Sequence, residues 1–207
     1  FWEFNPSNNQ WLRKADYGGG PRELAAGFSL DQFAYVGEGS NYNVNRYAQI
    51  QDFWKFDPNL NTWLQLPNRN DSASWGGIGF SNNGKGYLMA GANAGCRGIL
   101  SQFNPTTNSW SRRSNFGGVG AFENTIGFSI ADKGYCHFDN GGGFWEYEPL
   151  TNNWIQKSDF ILDTGKSTIK AIVIGNKGYY LTSNNKFWEF DPLTNSWTPK
   201  ANFPGLA

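Results

Sequence analysis

The sequence predicts an all-β propeller of four-stranded antiparallel blades. Three observations carry that reading. First, a hairpin motif closed by tryptophan recurs five times, ending at Trp11, Trp63, Trp110, Trp154 and Trp197, at spacings of 52, 47, 44 and 43 residues. That period is too long for leucine-rich or ankyrin units and fits a propeller blade of roughly 40 to 50 residues. Second, a different hairpin pattern fills each interval. Third, no window of about eleven residues or more carries helical periodicity.

The tryptophan-closed motif is clearest at Phe53-Trp-Lys-Phe-Asp-Pro-Asn-Leu-Asn-Thr-Trp63, Phe144-Trp-Glu-Tyr-Glu-Pro-Leu-Thr-Asn-Asn-Trp154 and Phe187-Trp-Glu-Phe-Asp-Pro-Leu-Thr-Asn-Ser-Trp197. Degenerate copies run from Phe1 to Trp11 and from Ser101 to Trp110. Each reads as an aromatic strand, a turn and a return strand. Proline presets φ in the turn, and asparagine tolerates the left-handed conformation. Neighbouring Phe and Trp point to opposite faces of their strand, so both faces need cover. Blades stacked around an axis supply it, and Trp63, Trp110, Trp154 and Trp197 are expected to be largely buried between blades.

The intervening hairpins begin with small residues, as in Ala25-Ala-Gly-Phe-Ser29, Gly77-Ile-Gly-Phe-Ser81, Thr125-Ile-Gly-Phe-Ser129 and Lys170-Ala-Ile-Val-Ile174. Small side chains suit the crowded position nearest an axis. Return strands such as Gly86-Tyr-Leu-Met89 and Gly134-Tyr-Cys-His137 follow turns like Asn83-Gly84 and Asn176-Lys-Gly178, which are hairpin signals. With strands named A to D from the axis outward, the chain is a C–D pair followed by four A-B-C-D units. The single domain 1–207 divides at about 1–16, 17–66, 67–113, 114–157 and 158–207.

Composition narrows the function. Seventeen basic and seventeen acidic residues balance, so nothing favours nucleic acid or an anionic surface. No apolar run is long enough for a transmembrane span. The chain starts without Met and in mid-repeat, which reads as a piece of a longer precursor. The glycine run at Gly18-Gly-Gly20 precedes no helix and no Lys-Ser/Thr, so it is not a phosphate loop. Cys96 and Cys136 read as a loop thiol and a buried hydrophobe, pairing only if a B–C loop folds back.

The ordered elements in Phe187 to Asn202 and Gly127 to Tyr135 resemble the kelch family of β-propellers. They are most like the tandem form common in secreted and outer-membrane proteins of Bacteroidetes-type bacteria. The resemblance covers essentially the whole chain. It implies a propeller scaffold and an extracellular or outer-membrane location. The departures are a B-strand double glycine reduced to Gly37-Glu-Gly39 or to Gly91 alone, and Ser101 at a C-strand tryptophan position.

No catalytic constellation stands out. His137 is the only histidine; a metal site needs three or four convergent ligands, and the copper-radical oxidases built on this propeller need several histidines. A nucleophile-elbow motif and a sialidase-type Ser-x-Asp-x-Gly-x-Thr-Trp turn are both absent. Glu38, Asp71, Glu123, Asp139 and Asp163 fall in loops, where carboxylates are usually solvated. The expectation is therefore a non-enzymatic binding module for a protein or glycan, without metal or cofactor. The alternatives are a carbohydrate-active enzyme of the sialic-acid epimerase or hydrolase type, and a structural adhesin segment.

Strand alternation puts the B–C and D–A loops on one face. These are the longer loops, and function gathers on loops held by a rigid scaffold. The expected ligand contacts there are Tyr42, Arg46, Tyr47, Arg69, Trp75 and Arg97. Arg22 joins the arginines of that face. The first C–D pair has no inner strands of its own; an A–B pair from beyond residue 207 would complete five blades, with six as the alternative.

Overall fold

The computed structural model describes residues 1–41, 49–71, 74–91, 98–118, 121–139, 142–159 and 168–205. Among them there is no helix. A two-stranded sheet, β1 (Trp2–Asn5) and β2 (Gln10–Arg13), precedes four complete antiparallel blades. Blade I is β3 (Ala26–Leu30), β4 (Phe33–Gly37), β5 (Phe53–Asp57) and β6 (Thr62–Leu66). Blade II is β7 (Ile78–Asn82), β8 (Lys85–Met89), β9 (Leu100–Asn104) and β10 (Ser109–Arg112). Blade III is β11 (Ala121–Ile130), β12 (Lys133–Asp139), β13 (Gly143–Glu148) and β14 (Asn153–Gln156). Blade IV is β15 (Thr168–Ile174), β16 (Lys177–Thr182), β17 (Phe187–Asp191) and β18 (Ser196–Lys200). Within each blade the strands pair in sequence order. The first strands of the blades, β3, β7, β11 and β15, touch in series, so the A strands form the inner wall, as the small residues predict.

Glycine is required where blades meet. A Cβ on Gly79 would strike the backbone of Gly27, so the inner strands can approach only because the side chain is missing. In the second strands, Gly134 lies under the ring of Phe80 and Gly178 under Phe128. The Lys-Gly-Tyr motif is thus a socket for the phenylalanine of the preceding blade.

The turns follow the motif chemistry. The side chains of Asp57, Asn104 and Asp191 accept the N–H of Asn59, Thr106 and Leu193. Asn61, Asn108, Asn152 and Asn195 sit at φ of 50 to 57°, the left-handed position that asparagine tolerates.

The core is made by phenylalanine and tyrosine. Phe53, Phe103, Phe144 and Phe190 are fully buried, as are Tyr87, Tyr135, Tyr147 and Tyr180. The closing tryptophans correct the sequence reading: Trp63, Trp110, Trp154 and Trp197 are only half-buried. Each lies at a seam with its indole N–H donating to a carbonyl in the segment that leaves the last strand of the preceding sheet. Trp63 bonds Ala15, Trp110 bonds Pro67, Trp154 bonds Ser114 and Trp197 bonds Ser158, at 2.7 to 3.1 Å. The left-handed asparagines complete the clamp. Asn61, Asn152 and Asn195 accept the N–H of Ala15, Ser114 and Ser158. Asn108 cannot do so, because Pro67 has no N–H. Replacing Trp154 by Phe keeps the ring but removes the bond and should cost about 1 kcal/mol in urea unfolding. Trp11, 66% exposed, should tolerate the same change with almost none.

A second repeated device braces the blades. Lys133, Tyr135 and Lys157 converge on Glu146, and Lys177, Tyr179 and Lys200 on Glu189. Hydrogen bonds from Lys177, Lys200 and Tyr179 hold Glu189 down at about 2. A depressed carboxylate stabilises the fold above its unfolded value and loses that effect as pH falls towards the folded one. Glu189→Gln should therefore flatten the acid limb of the stability profile between about pH 4.5 and 2, as followed by urea midpoints.

Candidate functional site

The A strands start at the face of the D–A and B–C loops, and their first residues surround the axis there. Ala25, Ala26, Gly77, Thr125, Ile126 and Lys170 line a cavity of about 230 Å³ at this mouth. A second cavity of about 320 Å³, lined by Phe28, Ser29, Phe80, Ser129 and Val173, lies towards the other end of the same strands. The loop-side cavity offers an exposed cation, Lys170, beside Thr125, with bare backbone at the glycines. That mixture can hold a small polar anion.

Behind this wall lies a buried charge network. Arg69 is 3% exposed, and its Nη2 lies 2.6 Å from Glu38 Oε1. The Ser74 hydroxyl donates to Glu38 Oε2 at 2.6 Å. Arg69 Nε is 3.8 Å from Asp71, which also accepts from the Ser101 hydroxyl at 2.6 Å. The network is one residue layer from the cavity: Gly39 N–H bonds the Ser74 carbonyl, and Gly39 lies against Ala25.

Glu38 is the unusual member. It is buried at 3% exposure with φ of 61°, a conformation costly for a residue with a Cβ. Burial pushes its carboxyl above the ordinary range, with the nearby Arg69 charge and the Ser74 bond opposing. A buried carboxyl of raised pKa beside a cleft is the usual setting of a proton-transferring group. The loop position predicted a solvated carboxylate. The available signal was the departure at Gly37-Glu-Gly39, where glutamate occupies a place that glycine fills without strain.

Arg69 is therefore not a surface loop charge but the buried counter-ion of Glu38. Trp75 is half-buried, and its carbonyl lies against Gly91. Arg22 is similarly engaged, with Nη2 at 2.9 Å from Asp52 and its guanidinium over the Tyr17 ring. Tyr42, Arg46, Tyr47, Arg97, Asp163 and Cys96 lie outside the described residues. Glu123 and Asp139 belong to β11 and β12 rather than to loops. Cys136 is a free buried thiol pushed well up by burial. His137 is buried with Nε2 3.4 Å from Asp159. Among the described residues no three His, Cys, Asp or Glu side chains group as metal ligands, and no helix is long and apolar enough to cross a membrane.

Comparison with known proteins bears on the fold and on the chain's relatives. No protein-family profile matches the chain. The N-acetylneuraminate epimerase of Shigella flexneri is 32% identical over 87 residues, which is 42% of this chain and 24% of that protein. Its namesake in Escherichia coli O157:H7 is 30% identical over 92 residues, 44% of this chain and 25% of that one. The chain thus spans about a quarter of the length of these curated relatives. In solved structures, YjhT aligns with a TM-score of 0.75 at 17% identity, over 94% of this chain and 75% of its own.

That likeness shows the fold, a β-propeller. The relatives overturn the expected non-enzymatic binding module, because they bear the name of an enzyme that acts on an acidic sugar. Of the sequence-based alternatives, the carbohydrate-active one agrees with them.

Proposed function

We propose that this chain is part of a carbohydrate-active enzyme that inverts one centre of an acidic sugar of the N-acetylneuraminate class. The similarity to the epimerases over 87 residues carries the reading. The loop-side mouth supports it with chemistry suited to such a ligand: Lys170 for the sugar carboxylate, and glycine backbone that a ring can approach closely.

Inversion at the hemiketal carbon of a sugar involves no change of oxidation state. The hydroxyl on that carbon gives up its proton as the bond to the ring oxygen breaks, and the ring oxygen takes a proton. The open chain then recloses on the opposite face with the transfers reversed. One group accepting a proton and another returning it suffice. Glu38 is our candidate for that exchange, raised by burial and one residue layer behind the wall, where its neighbour Gly39 lies against Ala25.

The test is anomer exchange of N-acetylneuraminate followed by proton NMR. Glu38→Gln should slow the catalysed exchange by about 10² to 10⁴-fold, while Lys170→Met should raise KM with a smaller effect on kcat. The pH profile should show a limb above the ordinary carboxylate range, from the raised Glu38. Absence of catalysis by the wild-type protein, or full activity of Glu38→Gln, would overturn the proposal.

A further inference from the structure

The backbone of Glu38 is gripped at both ends by one ion pair. Its N–H donates to the carbonyl of Asp52 at 3.1 Å, and its C=O accepts from Arg22 Nη1 at 3.0 Å. The same guanidinium pairs with the Asp52 carboxylate, Nη1 on Oδ1 and Nη2 on Oδ2. The three residues close a ring, from Glu38 to Asp52, Asp52 to Arg22 and Arg22 to Glu38. We propose that Arg22 is a positioning residue for Glu38, fixing through its backbone the direction in which its carboxyl points. The catalytic meaning rests on the reading of Glu38 as the proton-exchanging group.

A bond at the N–H orients the peptide plane that enters a residue, and a bond at the C=O orients the plane that leaves it. Together they set φ and ψ, the two soft dihedrals of the backbone. Glu38 needs such a hold, because its φ of 61° is unfavourable for a residue with a Cβ. Strain of this kind persists only where the surroundings over-determine it. Gly39 carries the hold onward with its N–H on the Ser74 carbonyl, and the Ser74 hydroxyl meets the Glu38 carboxyl. If φ relaxed to the negative region, Cβ would swing round and the carboxyl would leave Ser74 and Arg69.

The surroundings of Arg22 fit this task. Its side chain is 4% exposed, and its guanidinium lies over the Tyr17 ring at 4.6 Å. Nη2 also donates to the Gly19 carbonyl. A planar fork holds a carboxylate and two carbonyls together. The lysine ammonium, a point charge on a flexible stem, does not keep that geometry. Enclosed in this way, Arg22 acts through Glu38 rather than by touching a ligand.

The experiment removes the pair as a unit, combining Arg22→Met and Asp52→Asn in the 207-residue protein. No charge is stranded, and the Asp52 carbonyl remains. Arg69 and Asp71, the charges that face Glu38, are untouched, so a change at Glu38 reports its placement. The Glu38 carboxyl is titrated by carbon-13 NMR, its signal identified by its loss in Glu38→Gln, and urea unfolding verifies the fold. The wild-type titration should lie above the ordinary carboxylate range, and that of the double variant should fall back towards it. kcat for N-acetylneuraminate anomer exchange should drop by about 10- to 100-fold with KM unchanged. Arg22→Lys, which keeps the charge, should lie between the two and gives the same readings if the double variant does not fold. A Glu38 titration that stays in place in a folded variant would overturn the proposal, and so would an undiminished kcat. If the wild type catalyses no exchange, the enzymatic reading fails by itself, and the titration still decides whether Arg22 places Glu38.

Discussion

Phe144→Ala should lower stability by about 3 to 5 kcal/mol in urea unfolding, the range for removing a fully buried aromatic ring. Phe144 is 0% exposed at the seam of blades III and IV. Its ring meets Phe190 at 4.7 Å and Trp197 at 5.0 Å, both edge-on, and Tyr135 and Tyr180 at about 6 Å. Those rings come from both blades, so the loss weakens one sheet's interior and its junction with the next. Collapse around the gap is limited because β12, β13, β16 and β17 fix the surrounding backbone. Phe144→Leu should restore much of the difference by refilling volume. A cost below about 1 kcal/mol for the alanine variant would mean that this ring is not part of the interblade core.

Arg69→Met should be comparably damaging, by about 3 to 5 kcal/mol, because removing one partner of a buried pair strands the other's charge. Glu38 and Asp71 would both lose their buried cation. The pH dependence has a definite sign. Burial already raises Glu38, and without Arg69 it would rise further. A group raised in the folded state opposes folding once it must ionise. The variant should therefore lose stability as pH climbs from the unfolded carboxylate value through the folded one, and be nearest to wild type in mild acid. Arg69→Met with Glu38→Gln should recover most of the loss at neutral pH. If the double variant is no more stable than the single, the Glu38 charge is not what Arg69 neutralises.

The propeller was readable in the sequence because its repeated features are local. Proline and asparagine make the C–D turn wherever they occur together, and glycine after lysine marks the second strand of blades II, III and IV. Burial of the closing tryptophans was overestimated because repetition says that a ring is needed, not how it sits. An indole that must keep its N–H on a neighbour's carbonyl stays at the seam, and phenylalanine and tyrosine fill the interior. The site was less legible. Thr125 and Lys170 look like ordinary strand residues, and reach the mouth only because inner strands converge there. Glu38 and Arg69 lie in loops 31 residues apart, and their pairing needs the junction of blades I and II to exist first. The composition of one repeat carries no information about which repeat will lie beside it.

The tryptophan clamp has an evolutionary consequence. From Trp63 onwards the indole of each closing tryptophan meets a carbonyl four residues beyond the tryptophan of the preceding unit: Ala15, Pro67, Ser114 and Ser158. Plug and socket therefore lie at one fixed offset within a single genetic period. Duplicating or deleting a whole period leaves each remaining junction chemically intact, so lineages can gain or lose blades without redesigning a boundary. Insertions inside the period fit only in loops, so loop length can vary while the joinery stays constant. Pro67 is the exception among these junctions. Its missing N–H leaves half of the clamp unmade, and the buried arginine network crosses that same join.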